Sequence, residues 1–291
     1  MKKISFQLIA ILLAAAMLLA GVSALFLQPD LKNDIATDAP LDGESNPPTD
    51  APTAEEDESE DVLPEQPEEE IPSLPEAPVM ANYIKAKVNG LNLRSGPGSG
   101  YSSVGYIDAG DMVALLTKEG GWYKTNYKNK TAYISASDMY TEIYQMAKAD
   151  QSVVEEVIGE GLLLLGHPYI YGAIRFHDGA GNKLKNFDPT KYDCSSLMQY
   201  IFYHGAGINL NMTTRTQVKQ GTFVPKNDLK RGDLMFFTNS SRYYYTGVER
   251  IGHVALYLGD NYILHTASDY AVIEQISAQR WKYYIESRRF F

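Results

Sequence analysis

Between residues 81 and 141 the chain consists of short runs in which apolar and polar residues alternate. Turn-forming residues separate these runs, among them Asn89-Gly90, Ala109-Gly110-Asp111 and Lys128-Asn129-Lys130. A period of two predicts strands with one buried face, and turn residues at this spacing predict tight connections. The segment is therefore expected to form a small all-β barrel of about five strands. Trp122 and Tyr123 are either ligand contacts or core residues, with core packing expected for Trp122.

Two further stretches have apolar residues at helical spacing. The first covers residues 142–165 and predicts a helix between the barrel and the region that follows. The second begins after Asp193, a favourable N-cap residue, and ends at Gly205. The first-turn N–H groups of such a helix have no helical partner and carry the positive end of the helix dipole.

Two runs of alternating residues, 253–258 and 262–266, predict a hairpin. If the three residues between them form the turn, His253 and His265 share one face as diagonal neighbours. The small Ala255 then leaves room between the two imidazoles. A two-residue turn would place the histidines on opposite faces, so the hydrogen bond expected between them depends on the turn.

Cys194 is the only cysteine in 291 residues, so it has no partner for an internal disulfide. It occupies the first turn of the second predicted helix, where backbone N–H groups favour a thiolate and can stabilise an oxyanion. We interpret it as a nucleophile that His253 activates, with His265 orienting His253. The alternatives are a small buried apolar side chain at Cys194 and two strand histidines whose rings bind the backbone.

The residues before the barrel differ in composition from the rest. Residues 1–27 begin with two lysines after the methionine and continue as an apolar stretch, which predicts export by either a signal peptide or a membrane anchor. Residues 28–80 hold 17 acidic residues against one lysine and are rich in proline, which predicts an extended linker. This linker more than accounts for the net charge of −10, so nothing in the composition supports nucleic-acid binding.

Several motifs keep the order and spacing of a known family. They are Asp193-Cys194-Ser195, residues 229–237, residues 252–259 and Leu264-His265. With these motifs the region from residue 153 to the last residue resembles the NlpC-type cysteine peptidases, papain-like hydrolases of bacterial peptidoglycan. Residues 90–97 and 121–124 are similar to motifs of bacterial SH3-like domains. The resemblance implies an α+β protein, in which a papain-like domain with helices packed on an antiparallel sheet (142–291) follows an SH3-like barrel (81–141).

The resemblance further implies a chemistry and its residues. Cys194, His253 and His265 would form a Cys-His-His triad that cleaves peptidoglycan stem peptides without a cofactor or metal ion. The bond implied lies between D-γ-glutamate and the next diamino acid, meso-diaminopimelate or L-lysine. In enzymes of this type the aspartate before the cysteine holds the free amine of the stem's L-alanine, although N-capping explains Asp193 equally well. The candidate substrate-binding residues are Asp193, Ser195 and Tyr171.

Four features depart from the family pattern. Ser196 stands where the family usually has glycine, and Gly252 where it commonly has serine. The segments 173–192 and 238–251 look longer than usual, and we expect both to reshape the substrate groove. Alternative functions on the same domain are an N-acetylmuramoyl-L-alanine amidase and a cross-bridge endopeptidase. A protein of another class would bind the wall without catalysis, and each alternative implies an exported, wall-associated protein.

Overall fold

The computed structural model describes residues 77–267 and 269–291, and the predicted export segment and nearly all of the acidic linker lie outside them. The strands of this part are β1 (Met80–Ala86), β2 (Leu91–Arg94), β3 (Ser103–Ile107), β4 (Met112–Ala114), β5 (Thr117–Glu119), β6 (Trp122–Tyr127), β7 (Lys130–Ser135), β8 (Thr141–Ala147), β9 (Thr222–Val224), β10 (Leu234–Phe237), β11 (His253–Gly259), β12 (Tyr262–Ala267), β13 (Tyr270–Gln275) and β14 (Tyr284–Arg289). The helices are α1 (Ser152–Leu163), α2 (Cys194–Ala206), α3 (Thr214–Gln217) and α4 (Ala278–Tyr283). In the part of the chain described, no helix is both long and apolar enough to cross a membrane.

The predicted all-β part is present but consists of eight strands where about five were predicted, and its core includes the fully buried Ile84, Leu93 and Ile134. Five of the strands make one sheet in the order β3-β2-β7-β6-β5, and β8, β1 and β4 lie side by side in another. Trp122 is only half-buried and lies outside the core cluster, whereas Tyr123 packs against it. The expectation of core packing at Trp122 was therefore wrong.

The helix predicted over residues 142–165 was wrong in its first third. Residues 141–147 form β8, which pairs antiparallel with β1 from Met80↔Ala147 to Ala86↔Thr141. The backbone hydrogen bonds of this long pairing decide the conformation, because tertiary partners override a helical spacing of apolar residues. Helix α1 begins only at Ser152, so the all-β part extends a few residues beyond its predicted end.

The remainder of the chain has the expected α+β architecture. Its strands are antiparallel and follow the order β13-β12-β11-β10-β14-β9, and β4 joins this sheet to the preceding strands through the pair Met112↔Ile273. Helix α2 packs on α1 and against β11 and β12. Burial of each large apolar side chain of α2, such as Ile201 or Phe202, contributes about 1.5–3 kcal/mol.

Strand β11 separates two apolar clusters by its alternation. Val254 and Leu256 belong to the large core that includes α2, whereas Ala255 packs with Met235 and Ile263 in a second, smaller cluster. Since His253 is two residues from Ala255, it starts the strand on the side of the smaller cluster. The N-terminus of α2 and the start of β11 are the two places from which the candidate site is built.

Candidate active site

Helix α2 begins at a capping box. Asp193 Oδ1 accepts a hydrogen bond from the Ser196 N–H at 2.8 Å, and Ser196 Oγ accepts one from the Asp193 N–H at 2.8 Å. Ser196, at the position where the resembling family usually has glycine, thus completes a reciprocal cap. The cap fixes the start of the helix so that Cys194 is its first residue, as the sequence predicted.

The Cys194 side chain is only 7% exposed. Burial, together with the charge of Asp193, raises the pKa of its thiol to about 12, although the backbone N–H groups of Val254 and Ser195 and the charge of Arg175 act in the opposite direction. The helix N-terminus therefore acts in the predicted direction, but the loss of water outweighs it. The group in the cleft is a neutral thiol that requires a base when it attacks.

His253 and His265 form a buried pair. Nε2 of His253 lies 2.8 Å from Nδ1 of His265 in a hydrogen bond, and the side chains are 8% and 1% exposed. Burial, the neighbouring His265 and the charge of Arg280 hold the pKa of His253 well below its usual value of 6.5. His253 is accordingly a neutral imidazole at neutral pH, the protonation state that a general base requires.

The histidines meet through a turn that differs from the predicted one. The connection is a two-residue turn, Asp260-Asn261, whose φ angles of 48° and 67° correspond to type I′. A β-bulge between Tyr257 and Gly259 supplies the additional residue. Leu256 therefore still pairs with Leu264, which is the register that the three-residue turn had predicted.

The sequence analysis missed a carboxylate next to this pair. Glu274 Oε1 lies 3.0 Å from His265 Nε2 and 2.8 Å from Arg280 Nη2. Burial raises the pKa of Glu274, but His265 and Arg280 outweigh it and lower the pKa to about 2. A signal was present in the alternation of residues 270–275, where Glu274 follows two residues after Val272, the partner of His265 in β13. Residues two apart in a strand share a face, so the carboxylate comes to lie beside the imidazole.

These contacts determine where the protons lie. Although His265 Nε2 lacks the angular geometry of a hydrogen bond to Glu274, the ionised carboxylate 3.0 Å away favours the proton of neutral His265 on Nε2, so its Nδ1 becomes an acceptor. His253 must then donate from Nε2 to His265 Nδ1. This leaves Nδ1 of His253 with a free lone pair, and that nitrogen is the one able to take a proton from a nucleophile.

The candidate site lies at two cavities of about 360 and 450 Å³ that share lining residues. Cys194 lines the first cavity and His253 the second. Tyr169, Asn239 and Gly252 belong to the walls of both. A ligand lying across these shared walls would contact both halves of the site.

Two tyrosines border the cleft, and they differ in burial. Tyr171, the predicted substrate contact, is 86% exposed at the edge of the first cavity. Tyr169 is half-buried and lines both cavities. Burial and the charges of Cys194 and Asp193 raise the pKa of Tyr169 to about 12, so its hydroxyl remains a hydrogen-bond donor. Tyr169 is thus the tyrosine that lines both cavities and whose pKa is affected by the charge of Cys194. The sequence analysis had named Tyr171 instead.

Arg175, in the segment 173–192, forms an ion pair with Asp193. Arg175 Nη1 lies 2.8 Å from Asp193 Oδ2, and Arg175 Nη2 donates to Ser195 Oγ at 2.7 Å. Ser195 Oγ in turn donates to Asp193 Oδ1 at 3.1 Å. Asp193 and Ser195 therefore lie in the cleft wall as predicted, but they bind each other and Arg175. The expected free carboxylate for an ammonium group is not present at Asp193.

Side chains of the segment 238–251 occupy the space in which a side chain at Gly252 would lie. A Cβ atom at Gly252 would lie 2.4 Å from Asn239 Nδ2 and 3.1 Å from Arg242 Cδ. Serine, common at this position in the resembling family, does not fit while Asn239 and Arg242 keep these places. Gly252 and the longer segment are therefore complementary changes.

Comparison with known proteins defines the class of each part. Residues 166–289 match the NlpC/P60 family and residues 89–140 match the bacterial SH3 domain. The chain therefore carries an NlpC/P60 domain preceded by a bacterial SH3 domain.

Two curated relatives and one solved structure illustrate the similarity. The γ-D-glutamyl-L-lysine dipeptidyl-peptidase of Bacillus subtilis is 31% identical over 53% of this chain and 44% of its own length. The peptidoglycan DL-endopeptidase CwlO of Bacillus licheniformis is 31% identical over 47% of this chain and 28% of its own. RipD of Mycobacterium tuberculosis, described as a non-catalytic NlpC/p60 domain protein, is 23% identical with a TM-score of 0.38 and covers 48% of this chain and 99% of its own. The chain thus spans less than half the length of these two curated relatives.

Proposed function

We propose that this protein is a cysteine endopeptidase that cleaves the stem peptides of peptidoglycan. The observation that carries the proposal is the row in which the half-buried Glu274 and the buried His265 and His253 follow one another at 3.0 and 2.8 Å, beside a cleft that also contains Cys194. If Cys194 served only for packing, its role would not explain a neutral imidazole that is oriented by a second imidazole and a carboxylate.

The chemistry follows from the protonation states. His253 Nδ1 takes the proton of the Cys194 thiol while Sγ attacks the amide carbon, and the carbonyl electrons move to oxygen. The backbone N–H groups at the start of α2 and the hydroxyl of Tyr169 are donors for that oxyanion. His253 then gives its proton to the leaving amine, the C–N bond breaks, and a thioester to Cys194 remains. Water, deprotonated by His253, hydrolyses the thioester and regenerates the thiol.

The histidine pair works as a general base and not as a preformed ion pair. The thiol has a raised pKa and His253 a lowered one, so separated charges at rest are disfavoured on both partners. The proton moves only as the carbon–sulfur bond forms. Substrate that fills the cleft and contacts Tyr169 would favour this transfer, since developing charge is then stabilised by fixed dipoles.

For the bond cleaved, we propose the amide between D-γ-glutamate and the following diamino acid. The two curated relatives support this choice, because their names specify γ-D-glutamyl-L-lysine and DL-endopeptidase activities. Three guanidinium groups, those of Arg175, Arg215 and Arg242, line the cavity around Cys194. They pair with two carboxylates, Asp193 and Glu249, and the remaining positive charge suits a stem peptide that bears carboxylates next to the scissile bond.

Digestion of purified sacculi with the full chain, followed by mass spectrometry of the released muropeptides, tests the proposal. We expect new termini at D-γ-glutamate and the diamino acid, and we expect none from Cys194→Ala. Release of whole stems from muramic acid would indicate an amidase instead, and release at cross-bridges a cross-bridge endopeptidase. Equal product release by the Cys194→Ala variant would refute cysteine catalysis altogether.

A further inference from the structure

The arginines that line the cleft already have carboxylate partners: besides Arg175 with Asp193, Arg215 and Arg242 lie 3.5 and 3.4 Å from Glu249 Oε2, and Arg280 lies 2.8 Å from Glu274 Oε1. The charged residues that line the cavity at Cys194 are Arg175, Arg215, Arg242 and Asp193. The cavity at His253 is lined by one charged residue, Arg280. Asp193 is therefore the single carboxylate among the lining residues of these two cavities. Glu249 and Glu274 are engaged by these arginines and are not among the described lining residues, so Asp193 is the carboxylate that an ammonium group would meet in the cleft.

Asp193 has no acceptor position left for such a group. Its Oδ1 accepts from Ser195 Oγ at 3.1 Å and from the Ser196 N–H at 2.8 Å. Its Oδ2 accepts from the Gly172 N–H at 3.2 Å and pairs with Arg175 Nη1 at 2.8 Å. A carboxylate offers about four lone-pair sites, and all four are used by this chain's own donors.

Arg175 is held too firmly to give way. Its Nε donates to the Met212 carbonyl at 2.7 Å, its Nη2 to Ser195 Oγ at 2.7 Å, and its Nη1 to the Ala173 carbonyl. The side chain is 14% exposed. Moving it would leave the carbonyl of the buried Ala173 without this partner and the Asp193 carboxylate without its cation, which is costly.

We infer that this cleft selects stem peptides whose amino-terminal nitrogen is acylated, as it is when the stem is still attached to muramic acid in the wall. A free amine is an ammonium at neutral pH, and in this cleft it would lose water without gaining a counterion. An amide nitrogen carries no charge and escapes this cost. The inference rests on the proposed function, and it reverses the preference for free-amine peptides expected from the sequence.

Binding to the inactive full-length chain separates this inference from the proposed activity. Titration calorimetry on Cys194→Ala would use L-Ala-D-γ-Glu-L-Lys tripeptides, and the meso-diaminopimelate equivalents, with the amino terminus free or acetylated. We expect the acetylated peptides to bind about tenfold more tightly, a difference typical of one uncompensated charged hydrogen-bonding group. Equal affinities, tighter binding of the free amine, or no binding of either form would overturn the inference. If the acetylated form binds more tightly but the wild-type chain cleaves neither, the proposed peptidase fails while the selectivity stands.

Variants of Arg175 test the cause. Arg175→Gln frees Asp193 as a counterion, so we expect the ratio of affinities to shift about tenfold towards the free amine. Arg175→Lys retains the positive charge and should leave the ratio near that of Cys194→Ala alone. Arg215→Gln is the matched control, because it removes a guanidinium from the same cavity without touching Asp193. A ratio shifted equally by Arg215→Gln and Arg175→Gln would contradict the role of the Arg175–Asp193 pair, and the ratio itself is insensitive to a general loss of affinity.

Discussion

The two sides of the cleft differ in what holds their side chains. On one side His253, His265 and Glu274 stand on the neighbouring strands β11, β12 and β13, so sheet register fixes their spacing. On the other side Arg175 and Asn239 come from the two long segments between regular elements. Position on the first side follows from alternation along a strand, whereas on the second side it depends on loop contacts. We expect proton transfer to and from Cys194 to depend on the first side, and choice of substrate to depend on the loop residues of the second.

After loss of the nucleophile itself, the largest effect is expected at His253. His253→Ala removes the proton acceptor, and we expect kcat/KM on stem tripeptides to fall by about a thousandfold. His265→Asn should retain part of the activity, because an amide can still hydrogen-bond to the His253 ring. His204→Ala, a histidine at the end of α2 outside the cleft, is the matched control and should leave kcat/KM unchanged. Equal losses for all three histidines would show that the changes act through folding.

Glu274→Gln should lower kcat by about ten- to a hundredfold with little change in KM. The amide of Gln can donate to His265 Nε2, which reverses the donor and acceptor roles along the row and places the proton of His253 on the wrong nitrogen. Glu274→Asp keeps an acceptor and should recover part of kcat. The control is Glu286→Gln, which removes a carboxylate paired with Arg288 in β14. If KM and kcat changed together, and Glu286→Gln gave the same changes, the result would indicate that Glu274 has only a structural role.

Alkylation of Cys194 by iodoacetamide should rise by about tenfold per pH unit from pH 6 to pH 10, since the thiolate fraction follows a thiol with a raised pKa. A lowered pKa also keeps His253 neutral below 6.5, so the acid limb of the kcat/KM profile should fall below that pH. Both measurements need only the wild-type chain and its Cys194→Ala variant as a blank. A plateau in alkylation near neutral pH would mean a preformed thiolate–imidazolium pair.

The smallest effect is expected at Gly252. Gly252→Ser introduces a Cβ that must displace Asn239, so we expect KM to change by a fewfold while the pH profile of kcat/KM stays the same. Gly247→Ser, at a glycine in the same segment where a Cβ meets nothing within 4 Å but φ is 55°, controls for backbone strain in that segment. A shifted pH profile in Gly252→Ser would show that the segment influences the histidine side as well.

What the sequence could predict follows the same division. The pairing register that brings His253 to His265 follows from alternation along the strands. It was predicted correctly although the predicted turn was one residue too long, because a bulge before Asp260-Asn261 supplies the additional residue. Strand β8 was missed because its partner β1 lies about sixty residues earlier. The spacing of apolar residues within a segment does not indicate so distant a partner.

The chemistry of the loops was the least predictable part. Nothing in the sequence near Arg175 indicates that it folds onto Asp193, since the contact depends on how residues 173–192 are folded. The raised pKa at Cys194 was missed for a related reason. Position at a helix N-terminus can be read from the sequence, whereas the depth of burial is set by the packed cleft.

The most direct test of the account is to trap the acyl-enzyme. The wild-type chain is mixed with an acetylated stem tripeptide, quenched in acid within one turnover, digested and examined by mass spectrometry. We predict a mass increase equal to the acetyl-L-Ala-D-γ-Glu acyl group on the peptide that contains Cys194, present in His265→Asn and absent in Cys194→Ala. Release of cleaved product with no adduct on Cys194 at any quench time, and at the same rate in Cys194→Ala, would contradict the assignment of Cys194 as the nucleophile.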